Sequence, residues 1–228
     1  MSAKQPANNM DLLSINDVKK LMAEGAVVID TRPSAFFVQG FIPRSIHIPV
    51  TTDFKEHLSL LLELDIKVIL LTEAGKETSI ARELIKTGFI NLAGIIEGGY
   101  EAWTAETGKI DIIIDITPEE FEIDFNFDEF YLIDLRDEEQ YEQEHFEYAE
   151  NIPLIDLEEL ITELNTDATY YLYGNSLEET ALAASIFKRN GFHKLRMVNE
   201  GYQSIKETTK ITVIKKKKPK SDIDFSAN

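Results

Sequence analysis

The chain contains no cysteine, one tryptophan and four histidines among its 228 residues. Without a thiol there is no disulfide, no thiolate zinc or iron–sulfur centre, no persulfide carrier and no cysteine-nucleophile phosphatase chemistry. Long apolar runs are missing as well. No stretch of about 18 apolar residues occurs, so nothing reads as a membrane-spanning helix. The opening MSAKQPANNM is polar and lacks the apolar centre of a secretory signal, which makes the cytoplasm the expected location. Positive charge is scarce: 23 Lys and Arg stand against 41 Asp and Glu, a net charge of −18. Such a surface repels phosphate backbones and anionic lipid, so neither nucleic acid nor membrane is an expected partner. His47, His57, His145 and His193 are too scattered to suggest a metal site, and no cofactor is expected.

What the sequence does hold is a repeat. Asp30-Thr31-Arg32 with Ile48-Pro49 returns as Asp134-Leu135-Arg136 with Ile152-Pro153, 104 residues later and without a gap. Gly88-Phe89 returns as Gly191-Phe192, and Glu97-Gly98-Gly99-Tyr100 is echoed by Asn199-Glu200-Gly201-Tyr202. A period near 103 residues is too long for a solenoid unit and reads as a duplicated domain. The charge is not duplicated. Residues 1–110 carry a net −3, residues 111–213 a net −18 with 25 acidic side chains, and residues 214–228 a net +3.

Each half alternates strand and helix signals. Ser14-Ile15-Asn16-Asp17 ahead of Val18–Met22 predicts an N-cap and an amphipathic helix ended by Gly25. Ala26–Ile29, Ile66–Leu71 and Asn91–Ile96 are short apolar runs of the kind buried on both faces of a sheet. Thr78–Thr87 has helical spacing and stops at Gly88, and Gly98-Gly99 leads a helix through YEAWTAE to Gly108. In the second half Pro118–Phe121 begins a helix, Phe130–Ile133 is a strand and Ile155–Leu164 a helix. Tyr170–Tyr173 is the next strand, Thr180–Asn190 an amphipathic helix stopped by Gly191, Lys194–Val198 a strand and Tyr202–Thr208 a last helix. The expected fold class is α/β: two tandem domains, each a small mainly parallel sheet flanked by helices. Their expected extents are 11–108 and 112–213, joined near Thr107–Asp111, with a disordered N-terminus at 1–10 and a basic disordered tail at 214–228.

The run VVIDTRPSAFFVQGFIPRSIHIPV, then a strand, a loop, a helix ending Gly88-Phe89 and EGGYEAW, resembles the rhodanese family of sulfurtransferase-fold proteins. LIDLRDEEQYEQEHFEYAENIP and the helix ending Gly191-Phe192 resemble it a second time, so the likeness spans about residues 11–210. More narrowly, TEAGKE resembles the first of two rhodanese-like domains that follow a metallo-β-lactamase-type hydrolase in bacterial sulfur-handling proteins. In that arrangement the first rhodanese-like domain typically lacks the cysteine. No His-x-His-x-Asp-His segment of such a hydrolase occurs here.

The resemblance implies that the loop after the central strand should read Cys-Arg-x-Gly-x-Arg, with amides and a helix N-terminus stabilising a thiolate and arginines holding an anionic substrate. Here Thr72 falls at the cysteine position, Glu73 and Glu77 at the arginine positions, and only Gly75 is kept. In the second half Gly174 falls at the cysteine position, followed by Asn175 and Ser176, with Glu179 where the second arginine would be. Carboxylates facing an anion repel it, so neither pocket is expected to bind thiosulfate or phosphate well. The family's Gly-His-Ile-Pro reads Gly40-Phe41-Ile42-Pro43 in one half and Glu144-His145-Phe146-Glu147 in the other, where the turn is expected to differ.

Each notable residue has a functional and a plain reading. Thr72 is a hydroxyl nucleophile or, as expected, a cap of the loop or helix start. Glu73 and Glu77 are an acid–base or hard-cation pair or, as expected, a solvated loop face. Asp30 with Arg32 and Asp134 with Arg136 are expected to be structural, the aspartates accepting from loop amides. Trp103 is expected in the core and His145 at the surface or in a loop. The acidic second half either serves solubility or steers a protein partner with a basic surface. No catalytic residue is expected, and the chain reads as a binding, scaffold or regulatory protein. The alternatives are a Thr/Glu enzyme at the Thr72 loop or inter-domain crevice, and a degenerate relative left over from a larger fusion.

Overall fold

The structure, a computed structural model, describes residues 11–62, 65–88, 91–127 and 129–216. The N-terminal segment 1–10, Phe89 and most of the basic tail lie outside them. The first half runs β1 (Leu12–Leu13), α1 (Ile15–Ala23), β2 (Val27–Asp30), α2 (Ser34–Gln39), β3 (Ile46–His47), α3 (Phe54–Leu61), β4 (Val68–Leu71), α4 (Glu77–Lys86), β5 (Leu92–Ile96) and α5 (Gly99–Thr107). Ser14 caps α1, its Oγ accepting from the Asp17 N–H at 3.2 Å. Every residue of β2 and β4 is buried, which is why both read as unbroken apolar runs instead of alternating. The strands form a parallel sheet in the order β1-β5-β4-β2-β3.

The second half continues with β6 (Ile114–Ile116), α6 (Pro118–Phe127), β7 (Tyr131–Asp134), α7 (Glu138–Gln143), β8 (Glu144–Phe146), β9 (Ala149–Asn151), α8 (Leu157–Leu160), β10 (Tyr170–Tyr173), α9 (Leu177–Arg189), β11 (Leu195–Val198), α10 (Gly201–Thr208) and β12 (Val213–Lys215). Its parallel sheet has the order β6-β11-β10-β7-β9, strand for strand the arrangement of the first. The turn expected to differ is retained. Arg44 and Tyr148, 104 residues apart, both take a left-handed conformation, at φ 69° and 66°. The fold is two copies of one doubly wound α/β unit.

Three expectations are corrected. Ile155–Leu164 is not one helix: α8 is a single turn between 3₁₀ turns at Leu154–Asp156 and Ile161–Glu163. Leu154, Leu157 and Ile161 are its buried positions, and a short, tightened segment suffices to turn them inward. Helix α9 is not amphipathic along Thr180–Phe187, where every residue is buried. One face packs on β10 and β11 and another on β3 and α2 of the first half. The tail does not begin at 214, because Val213–Lys215 pairs antiparallel with β8.

That last pairing belongs to the repeat. After α5 the chain passes through Gly108, and Asp111 exchanges backbone hydrogen bonds with Phe41 (2.9 and 3.0 Å). After α10, Ile214 lies opposite His145 in the same way. The two partners are 104 apart, and the segments that meet them 103 apart.

The halves share one hydrophobic cluster, which includes Val27, Ile46 and Leu70 as well as Ile133, Leu182 and Phe187. At its centre the His47 N–H donates to Ser185 Oγ (3.0 Å), which donates on to the Leu182 carbonyl (2.7 Å). Lys188 pairs with Asp111 at 3.1 Å, and Arg189 donates to the Arg44 carbonyl at 3.0 Å. Among the described residues no helix is long and apolar enough to cross a membrane.

Candidate functional site

Parallel sheets present ligands at the carboxyl ends of their strands. In the first half Asp30 at the end of β2 lies opposite Leu71 at the end of β4, so Thr72 is the first residue of the β4–α4 loop. In the second, Asp134 lies opposite Tyr173, and Gly174 follows. Thr72 and Gly174 therefore occupy equivalent places at the mouths of the two sheets.

The first mouth is open. A cavity of about 720 Å³ is lined by Arg32, Gln39, Thr72, Glu73, Tyr100 and Glu101, with Phe36 at its margin. Thr72 is 8% exposed, and its Oγ1 has no hydrogen-bond partner. The expected capping role is thereby corrected. Helix α4 starts at Glu77 with Lys76 as its N-cap residue, so the Thr72 hydroxyl is too far back along the chain to reach the amides of the first turn. Glu73 pairs with Lys76 on an exposed face instead of joining Glu77 around a cation. Glu77 stands in the first turn of α4, where a carboxylate suits the helix dipole. Gly75 takes φ 85°, a turn conformation that favours glycine. A second cavity, of about 440 Å³, lies between the halves, bordered by Thr31, Pro33 and Ser34 on one side and Leu177 and Glu178 on the other.

The second mouth is filled by its own side chain. Glu179 Oε2 accepts from the Asn175 N–H at 2.5 Å and lies 2.8 Å from where a Cβ on residue 174 would sit. Any side chain at Gly174 would collide with that carboxylate. Ser176 caps α9, its Oγ accepting from the Glu179 N–H at 3.2 Å. The Asn175 side chain bonds Gln140, and the Asn175 carbonyl passes so close to Gly201 that a Cβ there would come within 2.2 Å of it. Burial pushes the Glu179 carboxyl above its ordinary value, and the Asn175 amide draws it partly back. A carboxylate thus sits where loop amides would otherwise receive an anion from outside.

The Asp-x-Arg pairs are scaffold in both halves. Arg32 Nε and Nη2 reach the two oxygens of Asp30 at 3.0 and 2.6 Å, and Nη2 also donates to the Gly40 carbonyl at 2.8 Å. Arg136 repeats the pattern on Asp134 and on the Glu144 carbonyl (2.9 Å). Each guanidinium is covered by an aromatic ring, Tyr100 at 4.0 Å and Tyr202 at 3.5 Å. Sequence reasoning missed these rings. Their signal was present in the repeated Gly-Tyr of Gly99-Tyr100 and Gly201-Tyr202. It missed His47 too, which is fully buried and stacked on Phe37 at 4.4 Å. The Asp30 carbonyl can only accept, so Nδ1 carries the proton at 3.0 Å and Nε2 accepts from Ser34 at 2.9 Å. Burial pushes the His47 pKa down to about 3. Trp103 is buried, its indole N–H on the Lys109 carbonyl at 2.7 Å. His145 is half-buried in β8 and stacked on Tyr141 at 3.9 Å.

A family model described as "Rhodanese-like domain" matches residues 14–106 and again 110–208. A relative from Bacillus subtilis (strain 168), the uncharacterized protein YqhL, is 31% identical over 88 residues, covering 39% of this chain and 68% of its own. Among solved structures, the rhodanese-like domain of the Anabaena sp. Alr3790 protein is 20% identical with a TM-score of 0.41, over 50% of this chain and 86% of that one. The thiosulfate sulfurtransferase of Pseudomonas aeruginosa is 12% identical with a TM-score of 0.41, over 91% of this chain and 44% of that one. With the model matched twice along a duplicated sheet, the chain belongs to the rhodanese-like domain family, as two domains in tandem.

Proposed function

We propose that this chain is a non-catalytic tandem rhodanese-like protein that works by binding, as a scaffold, regulator or accessory subunit, with its acidic second domain as the contact surface for a basic partner. The observation that carries the reading is the state of the two mouths. Thr72 offers a buried hydroxyl with no base bonded to it, and the space beside Gly174 holds the Glu179 carboxylate. Sulfur transfer needs an atom that attacks and also leaves readily, and a hydroxyl does the second poorly. The hydroxyl–imidazole pair of Ser34 and His47 is buried, and an imidazole with a pKa of about 3 is a weak base. A link to sulfur metabolism rests on family membership alone. The test is thiosulfate:cyanide sulfurtransferase activity of the purified protein. No turnover above a heat-denatured control is expected, and turnover would overturn the reading.

The open cavity of about 720 Å³ favours a second reading, in which the first domain binds a small ligand beside Thr72. A thermal-shift screen of the native chain against Thr72→Ala and Glu77→Gln separates it from an enzyme using that loop. A ligand whose stabilisation vanishes with Thr72→Ala supports the site. Hydrolase activity lowered by either substitution would favour the enzyme.

A further inference from the structure

The reading of the second domain as a contact surface leaves the place of contact open, and the last strand identifies it. β12 lies antiparallel on β8, with Val213 opposite Phe146, Ile214 opposite His145 and Lys215 opposite Glu144. The Lys216 N–H donates to the Gln143 carbonyl at 3.0 Å, and its Nζ is 2.5 Å from Glu142 Oε2. Lys215 Nζ stands 3.6 Å from one oxygen of Glu144, and Lys206 pairs with the other. Val213 packs against the cluster that holds Phe146 and Tyr202. The edge therefore already accepts an extended segment of one pattern: an apolar residue, then lysines two and three positions later.

The resident segment is thinly held. The equivalent segment of the first half buries Ile113 to 3% exposure and continues into β6. In the second half Ile214 is 41% exposed, and the Lys215 and Lys216 side chains are 67% and 65% exposed. Exposed ion pairs of this kind add little, so the segment rests chiefly on a three-residue pairing and on Val213 and Ile211. Glu144, Glu142 and Glu139, which also acts on Lys216, form a row of carboxylates facing these lysines.

We propose that the edge formed by α7 and β8 is a docking surface for an extended, lysine-rich segment of a partner protein, which adds to β8 in the place β12 fills. Main-chain pairing supplies the fit and the carboxylate row selects the sequence.

The probe is a fluorescent peptide copied from residues 210–220, KITVIKKKKPK. Its binding is read by anisotropy on the native full chain and on the full chain carrying Lys215→Ala and Lys216→Ala. The loosened chain is expected to bind about two- to tenfold more tightly than the native one, and less tightly as salt is raised. Adding Glu142→Lys and Glu144→Lys is expected to abolish the gain. A hydrogen-exchange measurement on the native chain needs no variant: saturating peptide is expected to remove protection from the Lys216 amide. Equal binding by native and loosened chains, or an unchanged Lys216 amide, would overturn the proposal. A doubled mass of the loosened chain in light scattering, without peptide uptake, would overturn it in favour of strand exchange between copies. Peptide binding that resists the Glu142 and Glu144 changes sinks this edge while leaving the acidic domain as a contact surface. Thiosulfate turnover sinks the non-catalytic reading and leaves the edge untouched.

Discussion

A buried guanidinium is costly unless its donors are met, and Arg32 and Arg136 meet theirs alike: on an aspartate two residues back, on a turn carbonyl and beneath a tyrosine ring. Arg136→Leu leaves the fully buried Asp134 carboxylate the Tyr173 hydroxyl and a backbone amide but no cation. It is expected to cost about 3–5 kcal/mol in urea denaturation, and a loss below about 1 kcal/mol would mean that the pair is not structural. Glu179 is a different kind of charge, half-buried and paired with no cation among the described residues. Its folded pKa lies above the ordinary value of 4.5, so the folded chain holds the proton more tightly than the unfolded chain. Its contribution is therefore greatest below that value and is lost as pH rises through the raised folded value. Glu179→Gln keeps an acceptor for the Asn175 N–H without the charge. The variant is expected to be at least as stable as the parent at pH 7 and to flatten the decline above about pH 4.5. Glu179→Ala removes that acceptor from a partly exposed loop and is expected to lose about 0.5–1.5 kcal/mol. Equal losses in the two variants at pH 7 would show that the charge itself holds the loop.

Helix α9 illustrates how an element's composition reflects what lies on both sides of it. Ala181, Ala183 and Ala184 are fully buried, and their small side chains let the helix sit between its own sheet and β3 with α2. Ala184→Leu is expected to destabilise by about 1–3 kcal/mol through overpacking, measured by thermal or urea unfolding. A neutral result would place that face against solvent. By contrast, α7 buries no residue at all. An exposed helix studded with carboxylates is free to serve a surface role, and the short strand beside it, β8, is covered by β12 alone.

Two copies of one unit need not unfold together, yet here one hydrophobic cluster runs through both, between a cluster of each half's own, and the His47–Ser185 bond joins the halves beside it. One cooperative transition is therefore expected. The sole tryptophan, Trp103, reports the first half, and the packed tyrosines of β10, Tyr170, Tyr171 and Tyr173, report the second in near-ultraviolet dichroism. Urea midpoints from the two probes are expected to coincide, and separate midpoints would mean that the halves are independent domains. His47 adds a pH term to that joint stability. Its folded pKa is far below the ordinary 6.5, so the unfolded chain binds the proton that the buried ring refuses. This contribution is present above about pH 6.5 and is lost as pH falls toward 3.

The sheets, their duplication and the missing thiol were legible in the chain because they are written locally: buried strands as unbroken apolar runs, the repeat as a fixed offset of 104, sulfur chemistry as the presence or absence of one atom. The Ser14 cap and the Asp-x-Arg pairs were legible for the same reason, since each partner lies within three residues of the other. What α9 packs against, the filling of the Gly174 space by Glu179 and the return of β12 to β8 were not. Each depends on groups that the fold brings together from a distance, or on the direction a side chain takes once its neighbours are in place. Periodicity records that a residue is buried or exposed, but not what covers it. That contact is set only when the two halves close on each other and the chain comes back to its own edge.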